Sequence, residues 1–277
     1  MSSRFSDLEK QAKYLRNRVL DMCVKAGTGH VTSSFSCVEI LVALYYGGIL
    51  RHNASDQKWD GRDRFILSKG QASPILYAIL ADLEFFPSEA IWKFAQKDGM
   101  FGVHLQSDVP GAEITSGSLG HGFGIAVGMA LAAKMDNKPH MIFSLLGDGE
   151  CYEGSIWESA LFASHHKLTN LVAIVDRNQL CVTDYTERLV RLNPLDEKWR
   201  SFGWDAVTVD GHSFQELMPI LETVRPRKSD RPLVIIANTI KGKGVSFMEG
   251  QILWHGIAPK GTEAEMAKAE LSGGSAK

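Results

Sequence analysis

An aspartate between two glycines, with an asparagine thirty residues further on, constrains this sequence more than any other feature. Gly147-Asp148-Gly149 follows the apolar run MIFSLL, and Asn178 comes shortly after a second apolar run, LVAIVD. Each run has the length and composition of a buried strand, and residues 150–166 between them have helical length. Parallel strands end at one edge of a sheet, where α/β folds bind ligands. The pattern therefore predicts an α/β fold with Asp148 and Asn178 at a binding edge.

The residue types at this edge suit a diphosphate held by a metal ion. Carboxylate and amide oxygens suit Mg²⁺, and also Ca²⁺, with a phosphate completing the coordination shell. Glycine lets the backbone approach a diphosphate closely, and the following helix points its N-terminus at the anion. The alternative is that Asp148 only caps the helix, since aspartate is a good N-cap residue.

Composition limits the class of protein. The 277 residues are 44% hydrophobic and 22% charged, which is ordinary for a globular protein with a sizeable core. The net charge of −2 argues against a nucleic-acid-binding protein. Four widely spaced cysteines without a CxxC pair fit free thiols in a reducing compartment. The N-terminus lacks the apolar region of a signal peptide, and no apolar stretch has membrane-spanning length, so a cytoplasmic protein without membrane contact is predicted.

Strand and helix patterns alternate along most of the chain. Helices are predicted over 6–26, over 36–46 with Ser36 as cap, from Pro74, after the glycine-rich segment 117–128, and over 213–224. Further strands are predicted over 64–67 and 204–209, and at the run PLVIIAN. This alternation predicts a parallel sheet covered by helices on both faces. Residues 1–261 are expected to form one domain, and the polar residues 262–277 a frayed, flexible tail.

The segment from Gly147 to Asn178 resembles the thiamine diphosphate motif, and in detail that of transketolases, because Glu153 and Gly154 also match. The resemblance runs from about Ala12 to Pro259. It rests on four further blocks: VKAGTGHVTSSFSCVEIL, RDRFILSKGQASPILYAIL, GAEITSGSLGHGFGIAVGMALAAK and TIKGKGVSFMEGQILWHG. The implied fold is the diphosphate-binding domain of a thiamine enzyme.

The resemblance implies roles for particular residues. Asp148, Asn178 and the backbone carbonyl of Leu180 would hold Mg²⁺. Glu153 would lie at a subunit interface and pair with the acid that activates the cofactor. The residues implied to contact thiamine diphosphate are Gly117, Leu119, Gly147, Asp148, Gly149, Asn178 and Gln71.

Three histidines match positions that the family uses in catalysis: His30, His104 and His255. Histidine suits this task because its pKa lies near the working pH and its ring can hydrogen-bond hydroxyls and carbonyls. Each has an alternative as an ordinary loop residue, and His30 could instead cap the next helix. At His104 the family's following proline and acid are missing, and the spacing to Gly111 is one residue short.

Two positions depart from the family pattern. Gln71 stands where the family has a histidine, and glutamine can donate and accept hydrogen bonds but cannot titrate. His121 stands where GSLGQG is usual. Both substitutions could alter the substrate, or could mark a paralogue with little sugar-phosphate activity.

The resemblance implies transfer of a two-carbon ketol unit from a ketose to an aldehyde acceptor. The sequence matches only the family's first domain, so the expected protein is the N-terminal subunit of a split transketolase. A C-terminal subunit with the pyrimidine-binding domain would complete it, in a heterotetramer around a homodimer core. Two alternatives remain: the α subunit of a 2-oxo acid dehydrogenase, and a non-catalytic cofactor-binding paralogue.

Overall fold

The computed structural model describes residues 4–225 and 227–273. A five-stranded sheet runs through its centre, with all neighbouring strands parallel, in the order β1-β2-β3-β5-β4. The strands are β1 (Arg64–Leu67), β2 (Ile142–Gly147), β3 (Leu171–Arg177), β4 (Asp205–Asp210) and β5 (Leu233–Asn238). All five predicted strands are thus confirmed to within a residue or two.

Ten α-helices occur within the described residues. They are α1 (Ser6–Ala26), α2 (Val31–Phe35), α3 (Val38–Tyr46), α4 (Ser73–Asp82), α5 (His121–Met135), α6 (Gly154–His165), α7 (Thr186–Leu189), α8 (Leu195–Ser201), α9 (Phe214–Glu222) and α10 (Thr262–Ser272). Four short 3₁₀ turns join them: Gly70–Ala72, Ser88–Lys93, Gly149–Tyr152 and Ile252–Trp254. No helix in the described part of the chain is both long and apolar enough to cross a membrane.

Helices cover both faces of the sheet, as predicted. In β2, Phe143 and Leu145 point into the larger hydrophobic core, whereas Ile142 and Leu146 point into a second core. Successive strand residues face opposite sides of a sheet, so nearly uninterrupted apolar strands require a core on each side. The larger core contains residues of α1, α3, α4 and α9, and the second contains residues of α5, α6 and α8.

The helix predicted over 150–166 is interrupted. A 3₁₀ turn, Gly149–Tyr152, precedes Glu153, whose extended backbone (φ −70°, ψ 126°) separates it from α6. The carboxylate of Glu150 accepts hydrogen bonds from the backbone N–H groups of Gly147 and Gly120, at 3.1 and 2.9 Å. Glu150 is therefore engaged by two loops rather than being part of a continuous helix.

Two other expectations are wrong. Ser36 does not N-cap the second predicted helix: α3 begins at Val38 with Cys37 in the cap position, and the Ser36 hydroxyl donates to the Asp176 carboxylate at 2.6 Å. The tail predicted as frayed over 262–277 is instead helical from Thr262 to Ser272 and contacts α1. Ala267 and Leu271 are buried there, because alanine and leucine spaced along one face can pack against α1. Residues 274–277 lie outside the described part of the chain.

Candidate active site

A cavity of about 310 Å³ opens at the carboxyl ends of β2 and β3. This is the sheet edge at which the sequence predicts a binding site, and helices and loops from distant parts of the chain meet there. Eight of the predicted site residues line the cavity: Gln71, Leu119, Gly147, Asp148, Gly149, Asn178, Leu180 and His255.

Asp148 follows β2 directly and is 1% exposed. Its carboxylate accepts backbone hydrogen bonds from Gly149 at 3.0 Å and from Gln179 at 2.7 Å. Burial and the nearby Asp176 carboxylate raise the pKa of Asp148 to about 7, against the lowering effect of these two hydrogen bonds. A buried carboxylate in this position is destabilised as an anion until a cation lies beside it. Asp148 also occupies the N-cap position of the 3₁₀ turn, and its hydrogen bond from Gly149 is the capping contact that the alternative interpretation predicts.

Asn178 lies at the end of β3, across the sheet edge from Asp148. Its side-chain oxygen accepts a hydrogen bond from the N–H of Leu180 at 3.1 Å, and its amide lies 3.4 Å from Asp176. Leu180 forms an isolated bridge with Tyr185, which holds this loop in place.

The predicted ligands fit a metal ion shared with a phosphate. Within residues 4–225 and 227–273, no group of three or more His, Cys, Asp or Glu side chains could hold a metal by itself. One carboxylate, one amide and one backbone carbonyl supply hard oxygen atoms but too few of them for Mg²⁺, which prefers six. Phosphate oxygens would complete such a set.

Two buried lysines line the same cavity, and neither was predicted from the sequence. Lys69 pairs with the fully buried Asp176 and donates to the carbonyl of Ser33 at 3.0 Å. Lys241 is 2% exposed, and burial together with the Lys69 charge lowers its pKa to about 8. Both lie in blocks that match the family, SKGQAS and TIKGKG, and a lysine beside glycines near a predicted anion site was the available signal. Two cations at the carboxyl edge of the sheet fit an anionic ligand.

Asp176 connects one of these lysines, Lys69, to the loop that begins at Asn178. Besides Lys69, its carboxylate accepts hydrogen bonds from the hydroxyls of Ser36 and Thr239. Burial alone would raise its pKa, but Lys69 and these hydroxyls lower it below the ordinary value. Asp176 therefore stays ionised and anchors the strand end from which Asn178 projects.

The three predicted histidines lie together. The ring centroid of His30 is 5.2 Å from that of His104 and 5.4 Å from that of His255. Burial, followed by charge repulsion from neighbouring histidines and lysines, lowers the pKa of His30 and of His255 to about 4 in each case. Both are therefore neutral near pH 7, and each offers one N–H donor and one lone pair. His255 lines the cavity, and the other two extend the cluster beyond it.

The glycine-rich segment before α5 brings backbone close to these groups. Gly117 has a φ of +141°, and a Cβ there would lie 3.0 Å from the His104 ring. The N–H of Gly117 would lie only 2.6 Å from a Cβ placed on Gly70, so two loops meet without side chains between them. Leu119 follows and faces the cavity.

Two glutamates near the site differ in exposure. Glu150, which was not predicted as a site residue, is 1% exposed and accepts from the Ser68 hydroxyl as well as from two backbone N–H groups. Glu153 is exposed and does not line the cavity. An exposed carboxylate beside the site is compatible with its predicted interface role, which stays a prediction.

The two departures from the family pattern lie in different surroundings. Gln71 is half-buried and lines the cavity. His121 is exposed at the start of α5 and outside the cavity lining. Of the two, Gln71 is the one positioned to contact a ligand.

Comparison with known proteins agrees with this geometry. Residues 8–275 match the family model described as transketolase, thiamine diphosphate binding domain. The chain is 41% identical to the 6-deoxy-6-sulfo-D-fructose transketolase subunit of Clostridium sp. (strain MSTE9), over 98% of each chain. It is 37% identical to an apulose-4-phosphate transketolase subunit of Phocaeicola vulgatus, over 96% of this chain and 94% of that one.

Among solved structures, the transketolase of Campylobacter jejuni superimposes with a TM-score of 0.89 at 32% identity. The match covers 98% of this chain but 43% of the solved one. The chain therefore spans less than half of that transketolase.

Proposed function

This chain belongs to the transketolase family, and from that membership we propose that it is the N-terminal subunit of a two-component transketolase. With a partner subunit, it transfers a two-carbon ketol unit from a ketose to an aldehyde acceptor. The observation that carries the proposal is a single cavity lined by Asp148, Asn178, two buried lysines and His255, which packs against His30.

Thiamine diphosphate with Mg²⁺ is the proposed cofactor. Asp148, Asn178 and the carbonyl of Leu180 would hold the metal, and the loops carrying Gly117, Gly147 and Gly149 would lie along the diphosphate. When bound, the cofactor supplies a nucleophilic carbon that cleaves and transfers the ketol unit. The chain itself contributes neutral imidazoles that orient sugar hydroxyls and move protons.

A separate partner is supported by two relatives. The Clostridium and Phocaeicola proteins are both named as subunits, and each matches this chain over 94% or more of its own length. We propose a C-terminal subunit with the pyrimidine-binding domain, which completes a heterotetramer around a homodimer core. The cysteines of the chain are free thiols, which supports a cytoplasmic location.

The proposed substrate is a ketose donor with an aldehyde acceptor. The two relatives are named for different sugars, one sulfonated and one phosphorylated. The proposal therefore names no terminal group for the substrate. The α subunit of a 2-oxo acid dehydrogenase is disfavoured by the histidine cluster formed by His30, His104 and His255, which suits a polyhydroxylated substrate.

Reconstitution tests the proposal. The chain is mixed with its cognate partner, Mg²⁺ and thiamine diphosphate, and ketol transfer is measured with a panel of ketoses. Turnover is expected only from the complete mixture. Cofactor binding without turnover of any ketose would favour the non-catalytic alternative, and turnover of a 2-oxo acid would favour the dehydrogenase subunit.

A further inference from the structure

Lys241 and His255 make a contact that the family assignment does not explain. The ammonium nitrogen of Lys241 lies 2.8 Å from Nδ1 of His255. Lys241 is 2% exposed, and among the described residues its ammonium makes no other hydrogen bond. A buried lysine directed at one nitrogen of a cavity histidine is a specific arrangement, because most lysines keep their charge in water.

The loop around Lys241 is held by several backbone contacts. The carbonyl of Lys241 accepts from Gly250 at 2.9 Å, and the next residue, Gly242, donates to the carbonyl of Thr32 at 3.1 Å. On the other side, the N–H of Ile240 donates to Nε2 of His212 at 2.9 Å. The position of Lys241 is therefore set by three separate parts of the chain.

Donor and acceptor chemistry determines the direction of the hydrogen bond. An ammonium carries only donors, so a charged Lys241 requires Nδ1 of His255 to accept. The pKa of Lys241, lowered by burial to about 8, still leaves it charged at pH 7. Burial and the Lys241 charge lower the pKa of His255 to about 4, so its ring is neutral at that pH. A neutral imidazole that accepts at Nδ1 carries its proton on Nε2.

We propose that Lys241 is a positioning residue that locks His255 in the Nε2–H tautomer, so that His255 presents an N–H donor to the substrate. Nε2 makes no hydrogen bond to any described residue and is free for a ligand. The role of this tautomer in catalysis rests on the proposed ketol transfer, because the carbonyl and hydroxyl oxygens of a ketose can accept a hydrogen bond from Nε2–H. A donor aimed at an oxygen that gains negative charge stabilises the transition state.

A competing role for Lys241 is charge neutralisation of the diphosphate. Lysine has three N–H donors, so one bond to His255 leaves two for an anion. The two roles differ in what they predict for the ligand-free chain, since only the proposed role requires an ordered Nδ1 contact before the cofactor binds.

The tautomer can be read directly by nitrogen NMR. The full chain, labelled with ¹⁵N-histidine, is measured at pH 7 without cofactor, and His255 is assigned by its loss in His255→Gln. The expected result is an Nδ1 that carries no proton and accepts a hydrogen bond, together with a protonated Nε2. A proton on Nδ1 would overturn the proposal. This measurement needs no turnover, so it stands or falls separately from the proposed function.

Two variants test whether Lys241 causes the tautomer. Lys241→Met should shift the Nδ1 resonance and introduce the Nδ1–H form, whereas Lys241→Arg, which keeps a charged donor, should retain the parent pattern. Lys243→Met is the matched control, because this lysine lies two residues away and faces Glu249 at 3.7 Å. Unchanged His255 signals in a folded Lys241→Met would contradict the proposal.

Kinetics on the reconstituted enzyme separate the two roles of Lys241. At saturating Mg²⁺ and thiamine diphosphate, Lys241→Met should lower kcat by at least about tenfold, because a wrong tautomer offers a lone pair where a donor is needed. Lys241→Arg should recover most of that loss. A parent-like kcat of Lys241→Met at saturating cofactor, with only a weakened affinity for thiamine diphosphate, would show that the residue acts only on the diphosphate, and would overturn the positioning role.

Discussion

At the scale of single residues, Asp148 has the clearest consequence. Asp148→Ala should weaken Mg²⁺-dependent thiamine diphosphate binding on the order of 100-fold, roughly 3 kcal/mol, because the metal loses its charged oxygen ligand. Asn178→Ala should weaken it less, since an amide carries no charge. Calorimetry with Mg²⁺ and the partner subunit present measures both.

A nearby carboxylate provides the control for this change. Asp184 belongs to the same loop region but accepts hydrogen bonds from Tyr185 and Arg188 and does not line the cavity. Asp184→Ala should leave cofactor affinity unchanged. Parent-like affinity in Asp148→Ala would remove this residue from the metal site.

Gln71 is the residue through which we expect substrate choice to differ from the family. It lines the cavity and stands where the family pattern has a histidine, so Gln71→His restores a titratable group there. The variant should alter the relative kcat/KM values for a panel of ketose donors and aldehyde acceptors while the thermal unfolding midpoint stays the same. Gln215→His, an exposed change on α9, should alter neither property. A donor and acceptor profile identical to the parent's would indicate a structural role for Gln71.

At the scale of elements, a buried charged network joins α1, α3 and the loop after β4. The Glu39 carboxylate accepts hydrogen bonds from both terminal guanidinium nitrogens of Arg16 and lies 2.9 Å from Nδ1 of His212. Since Nε2 of His212 accepts from the N–H of Ile240, Nδ1 carries the proton and donates to Glu39. This network supports the start of the loop that carries Lys241.

The network predicts a pH dependence of stability. Burial would raise the pKa of Glu39, but Arg16 and His212 outweigh it and lower this pKa to about 2. A depressed folded-state pKa means that the stabilisation is fully present above the unfolded-state value of about 4.3 and is lost as pH falls towards 2. Glu39→Gln should therefore lower the free energy of unfolding at pH 7 by roughly 3 kcal/mol, with a smaller difference from the parent at pH 3.

Urea denaturation between pH 3 and pH 7 measures this effect. Glu197→Gln, an exposed change on α8, should give the parent's stability at each pH. If Glu39→Gln and the parent differed in free energy of unfolding by the same amount at every pH, ionisation of the Glu39 carboxylate would not contribute to stability, and the prediction would be wrong.

At the scale of the whole molecule, exposed apolar side chains on α5 and α6 indicate a contact surface. These two helices pack against each other, yet Leu161 is 60% exposed, Phe162 43% and Ile125 41%. Large apolar side chains left exposed on two helices that pack together favour an interface there, since extended apolar surface usually marks one. A second copy of this chain is the expected occupant, since homo-oligomers most often form through self-complementary patches.

Charge placed on this surface should separate the copies. The purified chain is expected to sediment as a dimer, and the double variant Leu161→Glu/Phe162→Glu as a monomer with native circular dichroism. Met100→Glu, on an exposed apolar residue elsewhere, should remain dimeric. A dimer that survives the double variant would place the interface on another face.

Much of the fold, and the placement of Asp148 and Asn178 at one edge of the sheet, was predictable from local pattern. Apolar runs of strand length define β2 and β3, and Asp148 and Asn178 must then lie at the same sheet edge because both strands are parallel. The histidine cluster also followed, but only through the family resemblance, since no spacing along the chain brings His30 near His104 and His255.

The tertiary structure alone decided which buried charges have partners. Lys69 meets Asp176 only when the loop after β1 packs against β3, and Lys241 meets His255 only when the chain beyond β5 has folded back on itself, so neither pair could be read from a local sequence pattern. The interruption at Glu153 and the docking of α10 on α1 have the same cause. The sequence by itself determined the strands, the sheet edge and the residue types at the site, because these depend on neighbours along the chain. Protonation states and orientation depend on neighbours in space, and these exist only in the packed fold.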